Sequence, residues 1–407
     1  MLQTIREYAR GKLEESGELE PMLDRLTGYV TALTETSETA LYGPKQEKAM
    51  DRLDREGQNI AFVLDLLLSK GDSEKGLHLA GSLGYYWQLR FDVEFGGKWL
   101  EGFLALPEHG QQGSTRAKAL FSLGRIRCQA IGTQWGDLFQ RSLALYRAAE
   151  DVGGIALSLS WIGYHGWHSV GSEIPRDTPP ESCLTLDQSV ELARDSGNPW
   201  IIAFCLGRAY ALPRADRDLA LAKTGVEEAI VLARSVGDPC LTAWELHDMG
   251  FMLETRGRLE ESLPWYEEAL SLVRRMPKSD YWVVAYGFLT GRMYALCEKT
   301  GEGCRLLQEV LQQTEDYTRA PSWFGCVWEI GRVAILEGNN RRGVRIISAV
   351  VAWNDERKNL PPETNVNPHP YVAGIAGLDD AALREEWAAG RAMGMERALQ
   401  DALAYPS

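Results

Sequence analysis

The chain has 407 residues, 45% hydrophobic and 25% charged. That balance suits a folded globular protein, and the length calls for two or three domains or an extended repeat array. A formal net charge of -14, with a pI near 5.1, repels phosphate backbones and argues against direct nucleic-acid binding by the chain as a whole.

In chain order, residues 2–16, 20–41 and 44–69 each read as helix, with Pro21 and Pro44 near the first turns of the second and third. A repeat follows. Leu83-Gly84, Leu123-Gly124, Ile162-Gly163, Leu206-Gly207, Met249-Gly250, Thr290-Gly291 and Ile330-Gly331 place one glycine at intervals of 40, 39, 44, 43, 41 and 40. A second helix keeps the same beat. Val190, Ile230, Leu270, Val310 and Val350 recur every 40 residues, each preceded four positions earlier by Leu186, Val226, Tyr266, Leu306 or Ile346. Apolar pairs at i and i+4 mark one buried helix face, so the same face is predicted to be buried in every unit.

Breakers separate the units: Asp195-Ser196-Gly197-Asn198-Pro199, Val236-Gly237-Asp238-Pro239 and Met276-Pro277-Lys278-Ser279-Asp280. A loop from Gly171 to Pro180 is expected between the two helices of the third unit. A proline-rich segment, Asn359 to Pro370, precedes two last helices at about 371–390 and 394–404. A helix pair cannot bury its apolar face alone, so stacked pairs must complete one another's core. The expected fold is all-α: a right-handed α-solenoid of tetratricopeptide-like helix pairs with a unit of about 40 residues. Leader helices fill 1–70, seven pairs fill 71–355, and a proline-rich loop with a helical cap fills 356–407. Gly207 followed by Tyr210, and Gly291 followed by Tyr294, match the Gly-x-x-Tyr part of the tetratricopeptide consensus. The unit is longer than the usual length of about 34, and the consensus Trp four positions before the glycine is absent.

Three stretches carry a family resemblance. Leu2-Gln3-Thr4-Ile5-Arg6-Glu7-Tyr8-Ala9-Arg10, continuing to Glu14-Glu15-Ser16-Gly17-Glu18, resembles the join after the winged-helix segment of large bacterial signal-transduction ATPases. Asp51-Arg52-Leu53-Asp54-Arg55-Glu56-Gly57-Gln58-Asn59-Ile60 resembles the helix leading into their repeats. Glu386-Trp387-Ala388-Ala389-Gly390-Arg391-Ala392-Met393, with Leu360-Pro361-Pro362 upstream, resembles their C-terminal signature. The chain is thus similar to the MalT-like or AfsR-like tetratricopeptide region of STAND-class transcriptional regulators. The resemblance implies a sensor arm that receives an inducer or partner and restrains an ATPase or effector module in cis or in trans. The ATPase and DNA-binding modules of that family have no counterpart in this sequence, and no Gly-x-x-x-x-Gly-Lys-Ser/Thr loop occurs to cradle phosphates.

In such stacks the first helices line the concave face, and the resemblance directs two columns into it. The residue after each repeat glycine reads Tyr85, Arg125, Tyr164, Arg208, Phe251, Arg292, Arg332. The residue three before reads Gly81, Phe121, Ser160, Phe204, His247, Phe288, Trp328. The candidate groove for a peptide or a small anionic inducer is therefore Phe121, Arg125, Tyr164, Phe204, Arg208, His247, Phe251, Phe288, Arg292, Trp328 and Arg332. Arginine forks take carboxylates or phosphates, and aromatic faces add stacking area. The competing expectation is that the aromatics pack between helices and the arginines pair with nearby Glu and Asp.

No catalytic residue, cofactor site or metal site is expected. The cluster Trp161, Tyr164, His165, Trp167 and His168 lacks further metal ligands in sequence and reads as core or groove wall. Acid pairs such as Glu227-Glu228 and Glu260-Glu261 read as solvated helix faces, and no Gly-x-Ser-x-Gly elbow occurs. The seven cysteines are odd in number and lack Cys-x-x-Cys spacing, which predicts buried free thiols in a reducing compartment. The start, Met1 to Glu7, lacks the apolar run of a secretory signal. The best apolar run, Ile60 to Leu68, is broken by Asp65 and falls short of the roughly 20 residues a membrane span needs. A cytoplasmic, non-membrane binding module is expected. The alternatives are a stand-alone scaffold holding peptides in the concave groove, or an enzyme built on an α-solenoid.

Overall fold

The structure, a computed structural model, describes residues 8, 11–107, 113–129, 135–170, 181–211, 218–276, 280–313, 322–357 and 370–406. Every regular element among them is a helix. The expected loops at 171–180 and 359–369, breaker residues 277–279, and most of the first ten residues lie outside the described residues.

The chain forms two units, Met1–Glu245 and Leu246–Ser407. In the first, helical residues 11–15 precede α1 (Leu19–Leu41), α2 (Gln46–Arg55) and α3 (Gly57–Ser69). Where the sequence predicts a single helix over 44–69, the structure has two, because Glu56 closes α2 ahead of Gly57. The Glu56 side chain is held by Tyr29 Oη at 3.0 Å and Asn59 Nδ2 at 2.7 Å, which fixes the corner. Next come α4 (Ser73–Ser82) and α5 (Gly84–Arg90), which meet at Leu83, then α6 (Val93–Leu104). Three pairs follow: α7 (Gly113–Arg127) with α8 (Gly136–Ala148), α9 (Val152–Val170) with α10 (Glu181–Ser196), and α11 (Pro199–Ala211) with α12 (Leu219–Val236). The two helices of each pair pack together, and the first two pairs pack on the pair that follows. The unit boundary falls inside α13 (Pro239–Glu254).

The second unit continues with α14 (Leu259–Arg274), α15 (Asp280–Leu296), α16 (Thr300–Gln313), α17 (Ser322–Leu336) and α18 (Asn340–Arg357), again packed in sequence order. It ends in α19 (Pro370–Ile375), α20 (Asp380–Met393) and α21 (Met395–Leu403). The helix expected over 371–390 is split, because Gly377 takes φ +58° and Asp379 caps α20 by accepting from the amides of Ala381 and Ala382. The stretch resembling the family's C-terminal signature acts as the cap. Trp387 is buried with Ile335, Val344 and Ile347; Ser348 Oγ donates to the Trp387 carbonyl; Gly390 lies against the α18 backbone. Gln308 Nε2 donates to the Ala402 and Tyr405 carbonyls, tying α16 to α21.

The forty-residue beat corresponds to burial. Leu186, Val226, Ile230, Tyr266, Leu270, Leu306, Val310, Ile346 and Val350 are buried, and Val190 is half-buried. The repeat glycines sit where helices touch. A Cβ would come within 2.8 Å of the Phe139 ring at Gly124, 2.6 Å of Leu186 at Gly163, 3.0 Å of the Tyr266 ring at Gly250, 2.7 Å of Leu307 at Gly291 and 2.8 Å of Ile347 at Gly331. Each of these neighbours belongs to the second helix of the same pair. The glycines at 84 and 207 instead face the next first helix, at Ser122 and Glu245. The result is an all-α solenoid-type stack of helix pairs in each unit.

Candidate functional site

The first-helix columns differ between the two units. In the second, the expected inward arginines are neutralised inside the protein. Arg292 Nη2 pairs with Glu254 at 2.5 Å, and Arg332 forms a buried pair with Glu329 one helical turn away. His247, Phe251, Phe288 and Trp328 are half-buried. The His247 ring stacks on Phe251, and its Nδ1 lies 3.2 Å from Asp248. Phe288 packs over Gly325, and Trp328 against the cap cluster. Here the packing-and-pairing expectation describes what is found.

In the first unit the columns converge without such pairing. Trp200, Phe204 and Arg208 lie at i, i+4 and i+8 on one face of α11, and Trp200 stacks on Phe204 with centroids 5.1 Å apart. The Arg208 guanidinium covers Phe204 at 3.6 Å and sits 4.6 Å from the Trp161 ring, 5.4 Å from Trp244 and 5.5 Å from Tyr164. Arg125 on α7 covers Tyr85 at 4.6 Å and approaches Phe121 and Trp200 at 5.7 and 5.8 Å. Trp200 and Phe204 therefore form a wall with one guanidinium at each end. Both arginines are buried, at 3% and 8% exposure, and neither forms an ion pair among the described residues. The charges of both lower the Cys128 thiol pKa, although burial is the larger effect and raises it to about 12.

The sequence reading missed a second wall, the turn joining α1 to α2. Tyr42 stacks on Tyr85 at 4.5 Å and meets Trp200 edge-on at 4.8 Å. Burial raises the Tyr42 phenol pKa, and the Arg125 charge opposes that shift. Asp238, fully buried, ties this turn to the start of α13. Its carboxylate accepts from Gln46 Nε2 at 2.8 Å, Tyr85 Oη at 2.9 Å and Trp200 Nε1 at 2.8 Å. It also caps α13 through the amides of Cys240 at 2.9 Å and Leu241 at 3.0 Å. Burial still holds its carboxyl above the usual carboxylate range, despite these five donors. The sequence signal for the cap was the Gly237-Asp238-Pro239 breaker; the signal for its distant partners was absent.

The other sequence candidates have ordinary roles. Of the aromatic cluster on α9, Trp161 is buried and stacked flat on Phe139, while His165 is exposed and sits edge-on to Trp135. The side chains of Trp167 and His168 lie outside the described residues. Glu227 and Glu260 are exposed, Glu228 is held by Arg194 at 2.8 Å and Glu261 by Arg258 at 2.6 Å. Among the described residues no group of three metal-ligating side chains occurs, and no helix is long and apolar enough to cross a membrane. The seven cysteines form no disulfide; five are buried and Cys128 and Cys297 are half-buried. A surface cleft of about 580 Å³ lies between α14, α15 and α16, where Arg274 is engaged by Glu309 at 2.8 Å.

Comparison with protein-family models and with curated proteins gives no match. Among solved structures the chain is similar to one described as "Circular tandem repeat protein with novel repeat topology and enhanced subunit contact surfaces". Identity is 15% and the TM-score 0.18, with 94% of this chain and 98% of the other covered.

Proposed function

We propose that the chain is a non-catalytic binding module, a sensor arm of the kind its sequence resembles in STAND-class regulators. It receives a ligand or partner on the first-helix face of the first unit and passes the change to an ATPase or effector module in cis or in trans. The observation that carries this reading is the contrast between units. Two column arginines are paired internally in the second unit, whereas in the first two are buried against an aromatic wall without a carboxylate partner. A buried guanidinium stays charged and costs several kcal/mol to desolvate. Ring contacts of roughly 0.5–2 kcal/mol each offset only part of that. Keeping such groups is expensive for a scaffold and reasonable for a binding surface.

Transmission would work by population shift: a ligand preferring one arrangement of the turn at 42–45 over Arg125 biases the contact made by the rest of the chain. The test is a thermal-melt screen of the full chain against carboxylates, phosphates and neutral sugars, beside pull-down with a purified STAND ATPase module. A saturable melting shift that changes the affinity for the ATPase module supports the reading. Steady substrate turnover abolished by a point substitution, with no ligand-dependent shift, would replace it with the enzyme alternative.

A further inference from the structure

We infer that Arg125, with Arg208 at the far end of the Trp200–Phe204 wall, forms an oxyanion site that takes the carboxylate or phosphate of a small molecule through the side-on edge of the Arg125 guanidinium. This rests on the binding-module reading above and names the ligand chemistry of its site.

The argument starts from which nitrogens lack partners. On Arg125 they are Nε and Nη2, and on Arg208 it is Nε; all are buried and without a hydrogen-bond partner among the described residues. Nε and Nη2 lie on the same edge of a guanidinium, with parallel N–H bonds spaced to meet the two oxygens of one carboxylate or two of a phosphate. The same unit shows this edge in use. Arg90 Nε donates to Asp54 Oδ1 at 3.1 Å and Arg90 Nη2 to Asp54 Oδ2 at 2.7 Å. Arg125 presents the same pair of donors with no carboxylate on them.

The acids beside Arg125 are otherwise committed. Asp238 is occupied by its five donors, and Glu38 is paired with Lys118 at 2.5 Å. Arginine cannot shed its proton to escape the problem. The aromatic rings hold the guanidiniums by their faces and leave the N–H edges in plane for an acceptor. Tyr42, which stacks on Tyr85 and hydrogen-bonds Arg125, is half-buried, and the nearby Pro44 and Lys45 are exposed.

The experiment is calorimetric titration of the full chain with benzoate, glutarate, inorganic phosphate and glucose. The same titrations are run on Arg125→Lys and, as control, Arg292→Lys, whose arginine is already paired. Saturable binding of a carboxylate or of phosphate is expected, and which of them binds identifies the oxyanion. Arg125→Lys keeps the charge but loses the fork, so affinity should fall at least tenfold while circular dichroism and melting stay near wild type. Arg292→Lys should bind as wild type does. Saturation by glucose alone, no saturation by any probe, or oxyanion binding equal in wild type and Arg125→Lys would each overturn the site. A neutral ligand or the ATPase module binding wild type and Arg125→Lys alike would leave the binding-module reading standing without it. If Arg125→Lys unfolds, Arg208→Lys and a benzoate-dependent change in Trp200 fluorescence of the wild type carry the same decision.

Discussion

Asp238 concentrates more hydrogen bonds than any other side chain discussed above, and each of its side-chain donors is itself buried. Removing the carboxylate strands Gln46, Tyr85 and Trp200 at once and uncaps α13. Asp238→Ala should therefore cost about 3–5 kcal/mol, read as a lower urea midpoint. Tyr85→Phe, which removes one donor and leaves the others satisfied, should cost only about 1 kcal/mol. Equal effects of the two substitutions would mean that the carboxylate does not organise the cluster. The residue scale is also where sequence reading fell shortest. Arg125, Phe204 and Arg208 could be singled out because they stand at fixed offsets from a repeating glycine and the tetratricopeptide resemblance supplies which offsets to follow. Tyr42 and Asp238 were not, because their meeting depends on how successive pairs turn in space, and no local pattern encodes that.

Helix pairs in the second unit show a device that periodicity half revealed. Gly291 and Gly331 on first helices face Gly303 and Gly343 on their partners, and in both pairs a Cβ on the second-helix glycine would strike the carbonyl of the first. Positions 303 and 343 are themselves forty apart, a signal present in the sequence but hidden while only one glycine column was followed. Backbone cannot move aside as a side chain can. Gly303→Ala, with its Cβ at 2.6 Å from the Gly291 carbonyl, should thus destabilise by roughly 1–3 kcal/mol. Gly28→Ala, on an exposed stretch of α1 with nothing within 4 Å, should stabilise by about 0.5–1 kcal/mol through helix propensity alone. Paired melting curves decide both. The split of the expected C-terminal helix follows the same lesson: apolar spacing ran through 371–390, and the Gly377 and Asp379 stop-and-start overrode it.

For the molecule as a whole, buried thiols and phenols set the alkaline limit of stability. Burial pushes Cys304 up to about 11 and Cys205 to about 12, and lifts the Tyr146 and Tyr266 phenols well above their ordinary value. In the unfolded chain, thiols ionise near pH 8.5 and phenols near about 10. Between about pH 9 and 12 the folded state therefore binds more protons than the unfolded one, and stability falls as pH rises through that window. Urea midpoints should be nearly equal at pH 7 and 8, and clearly lower at pH 10.5. A midpoint that held or rose at pH 10.5 would contradict the burial of these groups.

Ordinary repeat arrays can fray from an end, one pair at a time, because each pair leans only on its neighbours. The Gln46–Asp238 hydrogen bond joins positions 192 residues apart within the first unit. It makes the leader segment a clasp on the start of α13 at the opposite end of that unit, so neither end can loosen without releasing the other. Closing so long a loop slows folding but couples everything between its ends. Hydrogen exchange should accordingly show one common protection ceiling from α4 to α12, and substituting Gln46 with Ala should turn it into a gradient.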